Sequence, residues 1–189
     1  MCCIDVRAIG PQGSYVGFAT INGYIHRLTG THMLLYTVTD WMGILPVCVA
    51  FGFAVLGLIQ WIKRKNILKV DYSILALGAF YIVVMAVYLI FEEVIINYRP
   101  VLINGHLEVS YPSSTTLLVM CVMPTAMLQL KSRMRNGVLR NLAVILIITF
   151  TTFMVMGRLI SGVHWFSDIV GALLFSAGLV AVYHSLTDL

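Results

Sequence analysis

Arg158, His164 and Asp168 stand close together in the stretch Gly157-Arg-Leu-Ile-Ser-Gly-Val-His-Trp-Phe-Ser-Asp168, between two strongly apolar runs. Ionisable groups in such a setting point to function, because charge near a bilayer is costly unless something offsets it. His164 and Asp168 are four apart, so on a helix the carboxylate lies one turn from the imidazole and can hold one ring nitrogen. That pairing makes a nucleophile or a base. Upstream, Arg99-Pro100 and Tyr111-Pro-Ser-Ser-Thr-Thr116 add a guanidinium and a helix start. Pro112 suits a helix start, and Ser113 and Ser114 can cap its first turn. The free N–H groups of such a start favour an anion. A second helix start falls near His164. Two helix starts and two arginines converging on one pocket suit a phosphate, whose oxygens accept forked donors.

The elements that must position these groups are membrane helices. Hydrophobic residues make up 60% of the chain and charged residues only 11%, with a mean hydropathy of +0.94. Soluble domains carry about 25% charged residues, so the composition excludes an ordinary soluble protein. Runs at 41–62, 72–96, 139–157 and 168–186 are long enough to span a bilayer, and 114–130 is a shorter fifth. The expectation is an all-α, polytopic membrane bundle of five spans, preceded by amphipathic helices at the interface. Residues 1–40 form that interfacial segment and residues 41–189 the bundle. Asn22, His26, Arg27, His32 and Asp40 interrupt the apolar pattern of 14–40, and Gly30 breaks it into two helices.

Eight of the twelve Lys and Arg residues lie in two short connections, Lys63, Arg64, Lys65 and Lys69 in one and Lys131, Arg133, Arg135 and Arg140 in the other. The positive-inside bias makes both cytoplasmic. The 97–113 and 158–167 loops then share the extracytoplasmic face of a multi-pass protein of the cell membrane. The net charge of +4 reads as this topology signal, with no pattern for nucleic acid. Cys48 and Cys121 read as small packing residues within spans. Trp41, Trp61 and Trp165 read as interfacial anchors, and His26, His32 and His184 as surface histidines. Gly171 and Gly178 share a helix face and allow close helix contact. Pro46 and Pro124 are candidate kinks. No Cys/His spacing supports a metal site, and neither a cofactor nor an oligomeric state is indicated.

The order Arg-Pro, then Pro-Ser, then Arg, five residues, His, three residues, Asp resembles the three signatures of the type-2 phosphatidic-acid phosphatase (PAP2) and vanadium haloperoxidase superfamily, in a divergent bacterial membrane form. Matching positions are Arg99 and Pro100, Pro112 and Ser113, and Arg158, His164 and Asp168. The resemblance covers roughly residues 41–186. It implies a metal-independent phosphatase in which His164 attacks phosphorus to form a phosphohistidine and Asp168 orients the ring. Arg99, Arg158, Ser113 and Ser114 would hold the phosphoryl oxygens of a phosphorylated lipid. Preorganised donors of that kind meet the charge of the transferring group.

Departures from the pattern carry information. Gly157 stands where the third signature begins with Ser, and Thr115 stands where the family has the His that protonates the leaving group. Glu92 and Glu93 occupy the neighbourhood of an absent Lys. Losing a general acid costs about 10²- to 10⁴-fold, but a phosphate monoester leaving from a diphosphate has a second pKa of only about 6. The expectation is therefore a lipid phosphatase favouring a polyprenyl diphosphate over phosphatidate, with a carrier lipid such as undecaprenyl diphosphate implied by the resemblance. The alternative is a catalytically impaired relative that binds or moves phosphorylated lipids without hydrolysis. His106, in the same loop as Arg99, is a candidate substitute acid, and Glu92 or Glu93 a second. The first of six helices usual in bacterial members is missing, with Met1 to Asp5 reading as its tail.

Overall fold

The computed structural model describes residues 4–187. Seven helices carry the chain: α1 (Ala19–Thr29), α2 (Met33–Met42), α3 (Ile44–Arg64), α4 (Tyr72–Glu93), α5 (Ser114–Arg133), α6 (Gly137–Ile160) and α7 (Phe166–Thr187). Five stretches are long and apolar enough to cross a membrane, namely Met33–Arg64, α4, α5, α6 and α7. The fold is an all-helical membrane bundle, as composition and run length lead one to expect. Helix ends follow local chemistry. Asn136 caps α6 by accepting from the Val138 and Leu139 amides, and α3 ends at Lys65 in the left-handed region with Lys63 and Arg64 in its last turn.

Helix α5 is the axis. It packs against α7, α6, α3 and α4, and Leu117, Val119, Cys121, Val122, Met123 and Ala126 are all buried along it. Leu117 and Cys121 join Leu77, Phe80, Val84, Ala172 and Tyr183 in one apolar cluster. Met123 and Val119 meet Met154 of α6 in another. The outer helices instead turn Phe51, Ile82, Leu146 and Leu174 outward, as a bilayer requires. Cys48 also faces outward, so of the two cysteines within the spans Cys121 alone is an interior packing residue. Gly171 lies against the Tyr111 ring, where a Cβ would collide, whereas Gly178 has nothing near it. Pro46 falls in the first turn of α3, where its missing N–H breaks no helical bond.

The N-terminal region differs most from the expectation. Helices α2 and α3 meet at Gly43, which keeps helical angles (φ −59°, ψ −17°), so the first spanning stretch begins well before residue 41. The 40/41 boundary falls inside α2. Of the polar residues that interrupt 14–40, Asn22 and His26 reach into the protein, while Arg27, His32 and Asp40 stay exposed. Asn22 is fully buried, donating to Ser167 Oγ at 2.9 Å and accepting from the Ser167 amide at 3.0 Å. His26 packs edge-on against Trp165, ring centres 5.5 Å apart, and burial pushes its pKa down. Trp165 is itself buried and donates to the Tyr98 carbonyl at 2.7 Å. Its indole is thus an interior strut, not an interfacial anchor. Met1 to Cys3 lie outside the described residues, and Asp5 is non-helical, with φ +45°.

Consecutive spans run in opposite directions, which gathers the end of α4, the start of α5, the end of α6 and the start of α7 at one end of the bundle. The two basic connections lie at the other end. There Asp71 accepts from Arg64 and Arg133 at 2.9 Å and from Gln60 at 2.8 Å, tying α3, α4 and α5. Those donors, Arg133 first, hold its carboxyl down at about 2.

Candidate active site

Between α4 and α5 the chain folds into a hairpin. Arg99 donates its amide to the Glu108 carbonyl and Ser110 its amide to the Asn97 carbonyl, and the tip turns at Asn104 (φ +50°) and Gly105 (φ +81°). Two successive positive φ values with Asn-Gly are the signature of a two-residue hairpin turn. The arms thus deliver Asn97 and Arg99 on one side, Glu108 and Ser110 on the other. His106 is carried away at the exposed tip, paired to Ile103 through the backbone. It does not line the cleft, which corrects its candidacy as a substitute acid.

The cleft at this end is lined by Tyr88, Phe91, Glu92, Arg99, Val109, Ser110, Tyr111, Pro112, Ser114, Leu117 and His164. His164 is only 3% exposed. It precedes α7 and does not sit on it, so the one-turn relation to Asp168 is replaced by a relay. Nδ1 lies 4.0 Å from Asp168 Oδ2, beyond hydrogen-bond reach. Ser110 stands between them. Its hydroxyl donates to Asp168 Oδ2 in a short bond, and its carbonyl oxygen lies 3.1 Å from His164 Nδ1 and its Oγ 3.2 Å. A carbonyl only accepts, and a hydroxyl that has given its proton to a carboxylate offers a lone pair. Nδ1 therefore carries the ring proton. Nε2 keeps its lone pair and has no partner.

Burial, then the nearby Arg99 and Arg158 cations, hold the His164 pKa well below the ordinary histidine value. The ring is neutral at neutral pH. Asp168 is fully buried and multiply engaged. Oδ2 also accepts from the Trp165 amide at 2.9 Å, closing the first turn of α7 as a capping box does. Oδ1 lies 3.4 Å from Asn97 Nδ2 and from Ser167 Oγ. Asn97 in turn accepts from the Gly17 amide at 3.2 Å.

Arg158 is buried at the end of α6. Its Nη2 donates to Asp40 Oδ1 at 2.9 Å and to Thr115 Oγ1, while its Nε is buried without a partner. Arg99 Nη1 is likewise unpartnered. Arg99 Nε lies 3.2 Å from Glu108 Oε2, close enough for an ion pair but not aligned for a hydrogen bond. Four buried nitrogens of the site thus lack hydrogen-bond partners, His164 Nε2 with its lone pair, Arg99 Nε and Nη1, and Arg158 Nε, and of these only Arg99 Nε has an ion-pair contact. Unsatisfied buried polar atoms are costly in a folded protein, and an oxyanion supplies what these two arginines lack.

A model of the PAP2 superfamily matches residues 92–188, just over half of the chain. The chain belongs to the PAP2 superfamily. No curated protein and no solved structure matches it. Membership supports a phosphatase-type enzyme acting on phosphate esters, and the membrane-embedded helices imply a lipid-type substrate. The PAP2 match spans the hairpin, α5, α6 and α7, and so takes in Arg99, Ser110, Thr115, Arg158, His164 and Asp168.

Within this PAP2 region the remaining expected residues separate. Ser114 lines the cleft and Ser113 does not. Ser113 is fully buried, its amide given to the Asp168 carbonyl at 3.2 Å and its hydroxyl paired with Thr116 at 3.0 Å. It sits at the N-cap of α5 without a side-chain capping bond, contrary to the capping expectation. Thr115 is held by Arg158. Glu92 lines the cleft, whereas Glu93 is exposed outside it. Ser110, Asn97, Tyr36 and Asp40 escaped the sequence reading. The Asn104-Gly105 pair was the available signal for the hairpin that places the first two. Among the described residues no group of three His, Cys, Asp or Glu is placed to hold a metal.

Proposed function

We propose that this PAP2 member is a membrane lipid phosphatase that removes the terminal phosphoryl group of a lipid diphosphate or lipid phosphate through a phosphohistidine on His164. The observation that carries the reading is the orphaned Nε2 of His164 in a cleft that Arg99 also lines, with the charge of Arg158, itself keeping an unpartnered N–H, near enough to act on the same imidazole. In the first step the Nε2 lone pair attacks phosphorus and the bond to the leaving oxygen breaks, leaving that oxygen with the electron pair. The ring becomes cationic and keeps its Nδ1 proton against the Ser110 carbonyl, with Asp168 stabilising it through the Ser110 hydroxyl. Arg99, Arg158 and Ser114 meet the phosphoryl oxygens. In the second step water attacks phosphorus and the P–Nε2 bond breaks, its electron pair returning to Nε2; inorganic phosphate departs with the water's oxygen and protons, and the neutral imidazole with its Nδ1 proton returns.

Thr115 has no proton to give near neutral pH, and its hydroxyl is occupied by Arg158. A leaving phosphate monoester tolerates that loss, whereas an alkoxide does not. The preferred substrate is therefore a polyprenyl diphosphate over phosphatidate. The positive-inside bias places the basic end in the cytoplasm and the cleft on the extracytoplasmic face of the cell membrane. The rival reading, lipid binding or transport without hydrolysis, rests on the same Thr115.

Phosphate release by the purified protein decides between them. The expected outcome is faster release from a polyprenyl diphosphate than from phosphatidate, with both abolished by His164→Ala. Equal release by the variant, or a preference for phosphatidate, overturns the assignment.

A further inference from the structure

Tyr36 of α2 lies upstream of the region that the PAP2 model matches, yet its ring touches both site arginines. The guanidinium carbon of Arg158 is 4.8 Å from the ring centre and that of Arg99 is 5.6 Å away. The Tyr36 carbonyl also lies 3.5 Å from Arg158 Nη1. One turn later Asp40 takes Nη2 of the same arginine.

Two like charges this close repel, and each sits at the end of a long stem whose freedom must be restricted for both to meet one ligand. A carboxylate can restrain a guanidinium only by occupying its N–H groups. An aromatic face restrains it through its charge, leaving N–H donors for something else. That is the pattern observed, since Arg99 Nη1 and Arg158 Nε remain unpartnered.

We propose that Tyr36 is a positioning residue, a shared aromatic platform that sets the separation of Arg99 and Arg158 and keeps their free edges available for two oxygens of one phosphoryl group. Helix α2 then belongs to the phosphate site. The inference rests on the anion-site reading above.

Titration of the full-length protein in lipid nanodiscs with inorganic phosphate reads the site without turnover, and KM and kcat on the lipid substrate read it with turnover. Tyr36→Leu is expected to weaken phosphate binding about tenfold and to raise KM by a similar factor, with kcat changed much less. Tyr36→Phe, which keeps the ring, is expected to recover most of that affinity. Leucine binding phosphate within about twofold of the parent overturns the proposal, as does phenylalanine binding as weakly as leucine. Should Tyr36→Leu lose its thermal transition, Tyr36→Trp takes its place. Tryptophan offers a larger face and must bind at least as tightly as phenylalanine, and weaker binding sinks the platform. Absence of phosphate binding by the parent protein would instead defeat the anion-site reading itself.

Discussion

His164 owes its character to three neighbours and its burial. The Ser110 carbonyl fixes the tautomer, burial and the two arginines suppress protonation, and the free Nε2 lines the cleft. Because the folded-state pKa lies well below the unfolded value, the unfolded chain takes up this proton first as pH falls. The fold thus loses stability below about pH 6.5 on account of His164, and is indifferent to it above. Diethyl pyrocarbonate, which attacks neutral imidazole, tests the same point without substrate. Inactivation that inorganic phosphate prevents should stay at its plateau through pH 6.5 and decline only below it. A midpoint at or above 6.5 contradicts the buried neutral ring. Arg99, Arg158, His164 and Asp168 were legible in the sequence because charge between apolar runs is expensive and therefore conspicuous. Ser110 was not, since a serine in a polar loop carries no such signal. The direct His164–Asp168 contact failed because His164 precedes the helix on which that spacing would have applied.

At the scale of elements, the site depends on how α1 and α2 lean on the loop before α7. Gly162 has φ +64°, and a Cβ there would run into the Gly30 carbonyl. Beside it, the His32 amide donates to the Ser161 carbonyl at 2.8 Å. Gly162→Ala is therefore expected to cost about 1–3 kcal/mol through backbone strain and to displace α2 with Tyr36 and Asp40. Thermal denaturation should show a lower midpoint and phosphate release a reduced rate. An alanine variant unchanged in both would show that this contact positions nothing. The five spans were readable from run length alone, with ends within a few residues of those expected except at the first, which begins at Met33 and not at 41. Residues 14–40 are largely exposed, as expected of amphipathic helices, and what escaped notice is that Asn22 turns inward and that Asp40, though exposed, also pairs with Arg158. Nothing local in the sequence says that Asn22 is spent on the start of α7 or Asp40 on Arg158.

Over the whole molecule the two ends of the bundle have different work. The basic end is latched by Asp71 with Arg64 and Arg133, while the other end keeps buried cationic donors unpartnered. Leaving such groups unpaired is unfavourable for folding alone, which makes their retention meaningful for a bound anion. Legibility at this scale came from the basic loops, whose placement at one end follows directly from alternation of the spans. What could not be read was the convergence itself, because it requires contacts such as Gly17 to Asn97 and Thr115 to Arg158, far apart along the chain.

Trapping the covalent intermediate tests the central claim most directly. Protein mixed with a polyprenyl diphosphate labelled in its terminal phosphate and quenched in alkali should carry base-stable, acid-labile label on the peptide containing His164, and His164→Ala should carry none. Label absent from the parent during active turnover, or equal label on the variant, would contradict the account.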